Sequence, residues 1–101
     1  SGKMPLLGPG DDSYLAFEKE KDGEKTLVVM NFTSKPKDIS LDLSQVKVKP
    51  DSGISPVLGN LPKKAKLKGT TVELKGMPGY GVNVVWLEGK KPPKKVAGYV
   101  K

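Results

Sequence analysis

An all-β fold, a two-sheet antiparallel β-sandwich of about seven to nine strands, is what the sequence predicts. Helical periodicity is nowhere sustained over the 101 residues. Apolar residues come instead in short runs, several of them alternating with polar ones. Between the runs lie clusters of Gly, Pro, Asn, Asp and Ser, the residues that turns use.

Residues 3–7 (K-M-P-L-L) are short and apolar, an edge strand at most, and G-P-G-D-D at 8–12 is a turn cluster. Residues 13–21 (S-Y-L-A-F-E-K-E-K), read as a strand, place Tyr14, Ala16 and Glu18 on one side and Leu15, Phe17 and Lys19 on the other. The same residues would suit the start of a helix. Asp22-Gly23 favours the strand, because a two-residue turn of this type closes a hairpin onto the run that follows. That run, K-T-L-V-V-M-N-F-T at 25–33, is the longest apolar stretch. Leu27, Val28, Val29, Met30 and Phe32 put apolar groups on both of its faces, as in a strand covered on both sides. Pro36 then ends the ladder, having no N–H to give.

In residues 37–44 (K-D-I-S-L-D-L-S) strict alternation turns Ile39, Leu41 and Leu43 inward and Asp38, Ser40 and Asp42 outward, and Val46 and Val48 prolong the pattern. Residues 54–58 contain Pro56 and belong at an edge or beside a bulge. Residues 63–68 and 71–75, joined at Gly69-Thr70, read as a second hairpin with Ala65, Leu67, Val72 and Leu74 inward. Residues 80–88 (Y-G-V-N-V-V-W-L-E) form the second long apolar strand, expected to be central, with Val82, Val84 and Trp86 on one face and Asn83, Val85 and Leu87 on the other. The Lys/Pro-rich tail at 90–101 has a linker's composition, although Val96, Tyr99 and Val100 suit a short docked strand. The expected organisation is a vector-derived scar at 1–2, a β-sandwich domain at 3–89 and the tail, the whole cut from a longer chain.

Composition excludes several chemistries. There is no cysteine and no histidine, which removes disulfides, thiolate metal sites, cysteine nucleophiles and every imidazole-dependent triad. The +7 charge comes from 18 basic and 11 acidic residues, and all the basic ones are lysine. Without arginine the chain is poorly equipped for base readout, so lysines solvating a β-surface are expected rather than nucleic-acid binding. No apolar run approaches the roughly 18 residues that span a bilayer, and no signal peptide is visible, so no membrane partner is expected. No metal or cofactor is expected.

Three segments carry a family resemblance: D-D-S-Y-L-A-F-E-K-E at 11–20, G-E-K-T-L-V-V-M-N-F-T at 23–33 and P-G-Y-G-V-N-V-V-W-L at 78–87. In their order and spacing, over residues 3–88, they resemble the C-terminal domain of the alpha-amylase family of glycoside hydrolases, the alpha-glucosidase-like enzymes. Residues 46–74 are similar only in strand rhythm, and the tail departs from the family's usual end. The resemblance implies a Greek-key β-sandwich, immunoglobulin-like in architecture, that follows a catalytic (β/α)8 barrel carrying all the catalytic carboxylates. It implies a non-catalytic accessory domain whose partner is that barrel, in a parent acting on alpha-glucosidic bonds. A stand-alone carbohydrate- or protein-binding module is the other reading.

Asp11, Asp12, Glu18, Glu20, Asp22 and Glu24 cluster in sequence, but among lysines on a hairpin they read as a solvated surface rather than a catalytic pair, so no catalytic residue is expected. Asn31-Phe32-Thr33 fits the glycosylation acceptor pattern, and a structural role closing the strand is preferred. Phe17 and Phe32 are expected in the core. Trp86, Tyr80 and Tyr14 are the candidates for stacking on an alpha-glucan, with burial or domain docking favoured for Trp86. Asn83, Val85 and Leu87 are expected on an outer face as the docking patch, through which weak self-association is also expected.

Overall fold

In a computed structural model, which describes residues 7, 13–62 and 64–89, the strands are β1 (Tyr14–Lys21), β2 (Glu24–Asn31), β3 (Lys37–Asp42), β4 (Gly53–Leu58), β5 (Ala65–Lys66), β6 (Thr71–Met77) and β7 (Val82–Glu88). All pairings are antiparallel. One sheet has the order β1-β2-β7-β4-β5 and faces a second of β3 and β6. This is the all-β antiparallel sandwich that the turn-punctuated sequence predicts. The proposed boundaries at 1–2 and 90–101, and the tail strand through Val96, Tyr99 and Val100, lie outside the described residues.

The first hairpin closes as its sequence dictates. Asp22 and Gly23 both have positive φ, 53° and 80°, the mirror-image turn whose twist suits two strands. The register that follows sets Phe17 against Val28 and Leu15 against Met30. Leu7 adds to the open side of β1, donating its N–H to the Ala16 carbonyl at 2.7 Å. At Pro56 the ladder between β4 and β7 shifts register before Leu58, the irregularity that a residue without an N–H brings.

The core lies between the sheets. Ala16, Leu27, Val29, Ile54, Val85 and Leu87 from the larger sheet meet Ile39, Leu41, Val72, Leu74 and Met77 from the smaller, with Leu43, Val46, Val48, Leu61 and Leu67 closing the sides. Full burial of a leucine or valine side chain contributes about 1.5–3 kcal/mol.

Several expectations are corrected. The alternation through Val46 and Val48 does not extend β3. The Asp42 carboxylate accepts the Ser44 N–H at 3.0 Å and the Ser44 hydroxyl at 3.2 Å, a local side-chain turn that competes with the ladder. The chain coils into a 3-10 turn at Ser44–Val46 and still buries both valines. Nor do residues 63–68 and 71–75 form a hairpin ladder. β5 pairs with β4, and a single bridge joins Lys68 to Thr71. Asp51 holds this segment across the chain: its carboxylate accepts the Gly69 N–H at 2.8 Å, and its own N–H donates to the Gly69 carbonyl at 2.8 Å. β6 is left to pair with β3, Val72 against Leu41 and Leu74 against Ile39.

Phe32 is not core. It lies just past β2, 49 % exposed, while Phe17 is half-buried. Among the described strands, β2 and β7 are covered by the smaller sheet on one face only. Asn83, Val85 and Leu87 point between the sheets, with Asn83 fully buried, and the outer face of β7 belongs to Val82, Val84 and Trp86. Asparagine tolerates this side because its amide is satisfied. Oδ1 accepts the Asn60 N–H at 3.1 Å and Nδ2 donates to the Asn60 Oδ1 at 3.1 Å.

Candidate functional site

Three strands of the larger sheet build the apolar outer face. Phe17 on β1, Val28 on β2 and Val84 on β7 stand in one cross-strand row, and Leu15, Met30 and Val82 in the next. Trp86 forms a third row with Thr26 on one side and Ser55 on the other. All seven apolar residues are half-buried. β3 and β6 cover the opposite face of this sheet, so these side chains form no part of the core. Cross-strand apolar neighbours make a continuous surface, with Phe17 and Trp86 as its large anchors.

Towards the β1–β2 turn the face deepens into a groove of about 690 Å³, lined by Lys19, Lys21, Asp22, Glu24, Thr26, Val28 and Val84. Its rim is charged and its floor largely apolar. Such a face suits another protein surface. Trp86 contributes a further feature, since its indole N–H is enclosed without an acceptor.

The aromatic candidates do not share a platform. Tyr14 packs against the core between the sheets, whereas Trp86 is on the outer face. Tyr14 pairs with Asn31 and Trp86 with Thr26, which separates them by roughly 17 Å of strand. Tyr80 stands at a third position, in the turn before β7, and is 72 % exposed.

At that turn the strongest polar node of the domain is found. Asn31, almost fully buried, donates through Nδ2 to the carbonyls of Lys35 at 3.0 Å, Met77 at 3.2 Å and Pro78 at 3.1 Å. Its Oδ1 accepts the Thr33 N–H at 2.9 Å and the Thr33 hydroxyl at 2.6 Å. The nitrogen that a glycan would need is therefore enclosed and engaged, and Asn31-Phe32-Thr33 serves as a structural clasp. Gly79 completes it, because a Cβ there would be built into the Ser34 carbonyl.

The clustered carboxylates divide. Asp11 and Asp12 lie outside the described residues; Glu20 and Glu24 are exposed at the hairpin. Glu18 turns inward beside Ala16 and is buried, one carboxylate oxygen unpartnered. Burial pushes its pKa up, Glu20 adds to that, and Lys25 opposes it. Lys25 is occupied elsewhere, donating to the Lys47 carbonyl at 2.9 Å and pairing with Glu88 at 3.4 Å. Among the described residues no group of three or more His, Cys, Asp or Glu is placed to hold a metal ion.

Sequence reasoning missed Leu15, Phe17, Val28, Met30 and Val84 as one surface. The signal was present in Asp22-Gly23, whose two-residue turn fixes the register that brings the first four together.

The family described as "Maltogenic Amylase, C-terminal domain" matches residues 4–53. The matched span runs through β1, β2 and β3 to the first residue of β4, and so contains Asn31 but not the turn that Asn31 grips. No curated protein matches the chain.

Proposed function

We propose, for a chain that belongs with the C-terminal domains of alpha-amylase-family enzymes, a non-catalytic accessory role in which the outer face of the larger sheet packs on the catalytic barrel of its parent and stabilises it. The observation that supports this is the row of Phe17, Val28 and Val84 beside Leu15, Met30, Val82 and Trp86, an apolar surface that the smaller sheet leaves uncovered. A sandwich needs one buried face per sheet; a second apolar face on three adjacent strands, which no other described strand covers, fits a partner surface. Asn83, Val85 and Leu87 support the docking only indirectly, as the inner side of the strand that carries the outer valines.

The test is Val84→Lys, made both in the parent enzyme and in the isolated chain. In the parent it buries an unpaired charge at the interface and lowers the thermal midpoint of the barrel; the destabilisation expected is about 3–5 kcal/mol. In the isolated chain the same lysine reaches water and costs only its cross-strand apolar contacts, about 1 kcal/mol. Equal responses in the two settings would refute docking through this face. The isolated chain is also expected not to hydrolyse an aryl α-glucoside; turnover abolished by a single Asp or Glu substitution would refute the accessory role.

A further inference from the structure

We infer that Phe32 and Tyr80 form a surface subsite that stacks on the pyranose rings of an α-glucan. They are the two large hydrophobic residues that stand exposed among the described residues, and the fold brings both to one place. The Asn31 N–H donates to the Gly81 carbonyl at 2.9 Å, and the Tyr80 N–H to the Thr33 carbonyl at 2.9 Å. These two bonds bracket Phe32 and Tyr80 on adjacent chain segments.

Stability within the chain does not account for the tyrosine. Its φ is 53°, the left-handed region where glycine is at ease and a residue with a Cβ is strained. Its ring is mostly in water, so little burial offsets that strain. The support beneath is rigid: Asn31 clamps the carbonyls of Lys35, Met77 and Pro78, and Gly79 lies too close to the Ser34 carbonyl for any side chain. A rigid backbone that presents two aromatic rings loses little entropy on binding.

The surroundings favour a sugar over a protein surface. Exposed Ser34 and Lys35 follow Phe32, offering a hydroxyl and an ammonium to ring hydroxyls, while the continuous apolar rows stop at Leu15, Met30 and Val82. The α-glucan class rests on the family reading given above; the exposure and juxtaposition of the two aromatic residues do not.

The test is amide NMR titration of the chain with maltoheptaose, for the wild type, Tyr80→Gly, Tyr80→Phe and Phe32→Ser. Saturable shifts are expected at residues 32–35 and 79–81. Tyr80→Gly should weaken binding at least about tenfold, the loss of one stacked ring, while its thermal midpoint holds or rises because glycine relieves the positive φ. Tyr80→Phe should bind within about threefold of wild type. The subsite is overturned by an absence of saturable shifts, by shifts centred on Trp86, or by undiminished binding in Tyr80→Gly. Shifts at Phe32 and Tyr80 with a separately expressed barrel but not with maltoheptaose would also overturn it, and would assign the pair to docking. Failure of the barrel to bind would leave the glucan result standing by itself.

Discussion

The side-chain nitrogen of Asn31 lies 3.1 Å from the Pro78 carbonyl oxygen, and this bond joins the end of β2 to the turn that starts β7. Asn-Phe-Thr and Pro-Gly-Tyr-Gly are far apart in the chain and each is weak as a motif. In space they are the two halves of one clasp. A short amide whose two N–H donors are shared among three carbonyls has no substitute of the same size, which gives a physical reason for an asparagine at the end of this strand.

Asn31→Ala is therefore expected to lower the unfolding free energy by about 2–3 kcal/mol, because three carbonyls, that of Met77 buried, lose their donor. Asn31→Asp should do no better, since it sets a carboxylate oxygen against the same carbonyls. Chemical denaturation of the three proteins checks this. A loss under about 1 kcal/mol for both variants would show that the clasp is dispensable.

Glycines at the turn and at the strand start should respond with opposite sign. Gly79→Ala drives a Cβ into the Ser34 backbone and must displace it, at a cost of about 2–3 kcal/mol. At Gly53 an added Cβ meets nothing within 4 Å, and Gly53→Ala should stabilise by about 0.5 kcal/mol through the unfolded chain. Thermal midpoints that move in the same direction would contradict this contrast.

Burial separates Leu27 from Phe32 although both stand in the same apolar run. Leu27 has no exposure and sits in the core cluster. Leu27→Ala should cost about 2–5 kcal/mol, whereas Phe32→Ala should cost less than about 1. Denaturant midpoints give the ranking directly, and a larger loss at Phe32 would put that ring back in the core.

Much of the fold was legible where its information is local. Asp22-Gly23 sets the hairpin register, and the alternation of Ile39, Leu41 and Leu43 declares the inner face of β3. What escaped is non-local or ambiguous by type. β7 has apolar residues on both faces, so by residue type only Asn83 marks a wet side, and its partner Asn60 cannot be read from the strand itself. Glu18 misleads in the same way on β1. The attachment of β5 to β4 depends on the grip of Asp51 on Gly69 across the chain, which no local pattern signals. Phe32 reads as core from its neighbours in sequence, whereas the strand ends one residue before it.

Acid pH should expose the cost of burying Glu18. Its folded-state pKa is raised, by burial first and by Glu20 second, with Lys25 opposing. In the unfolded chain it ionises near the ordinary value of about 4.3. Below that pH the group is neutral in both states and carries no penalty. As pH rises through the unfolded and then the folded pKa, the unfolded state releases its proton first, so stability falls and then levels off. Asp42 and Glu73 have the opposite sign. Backbone and hydroxyl donors at Ser44 and Thr70 lower the first, and Lys68 lowers the second, so what they contribute is present above the unfolded carboxylate range and is lost as pH falls through their folded values. Both are exposed, and solvent screening keeps their part small. Glu18→Gln removes the first effect alone. It should be more stable than wild type at pH 7 and lose that advantage below about pH 4, the unfolded value. Urea unfolding of both proteins from pH 3 to pH 7 decides the matter, and parallel stability curves would show that Glu18 ionises in the folded domain as freely as in water.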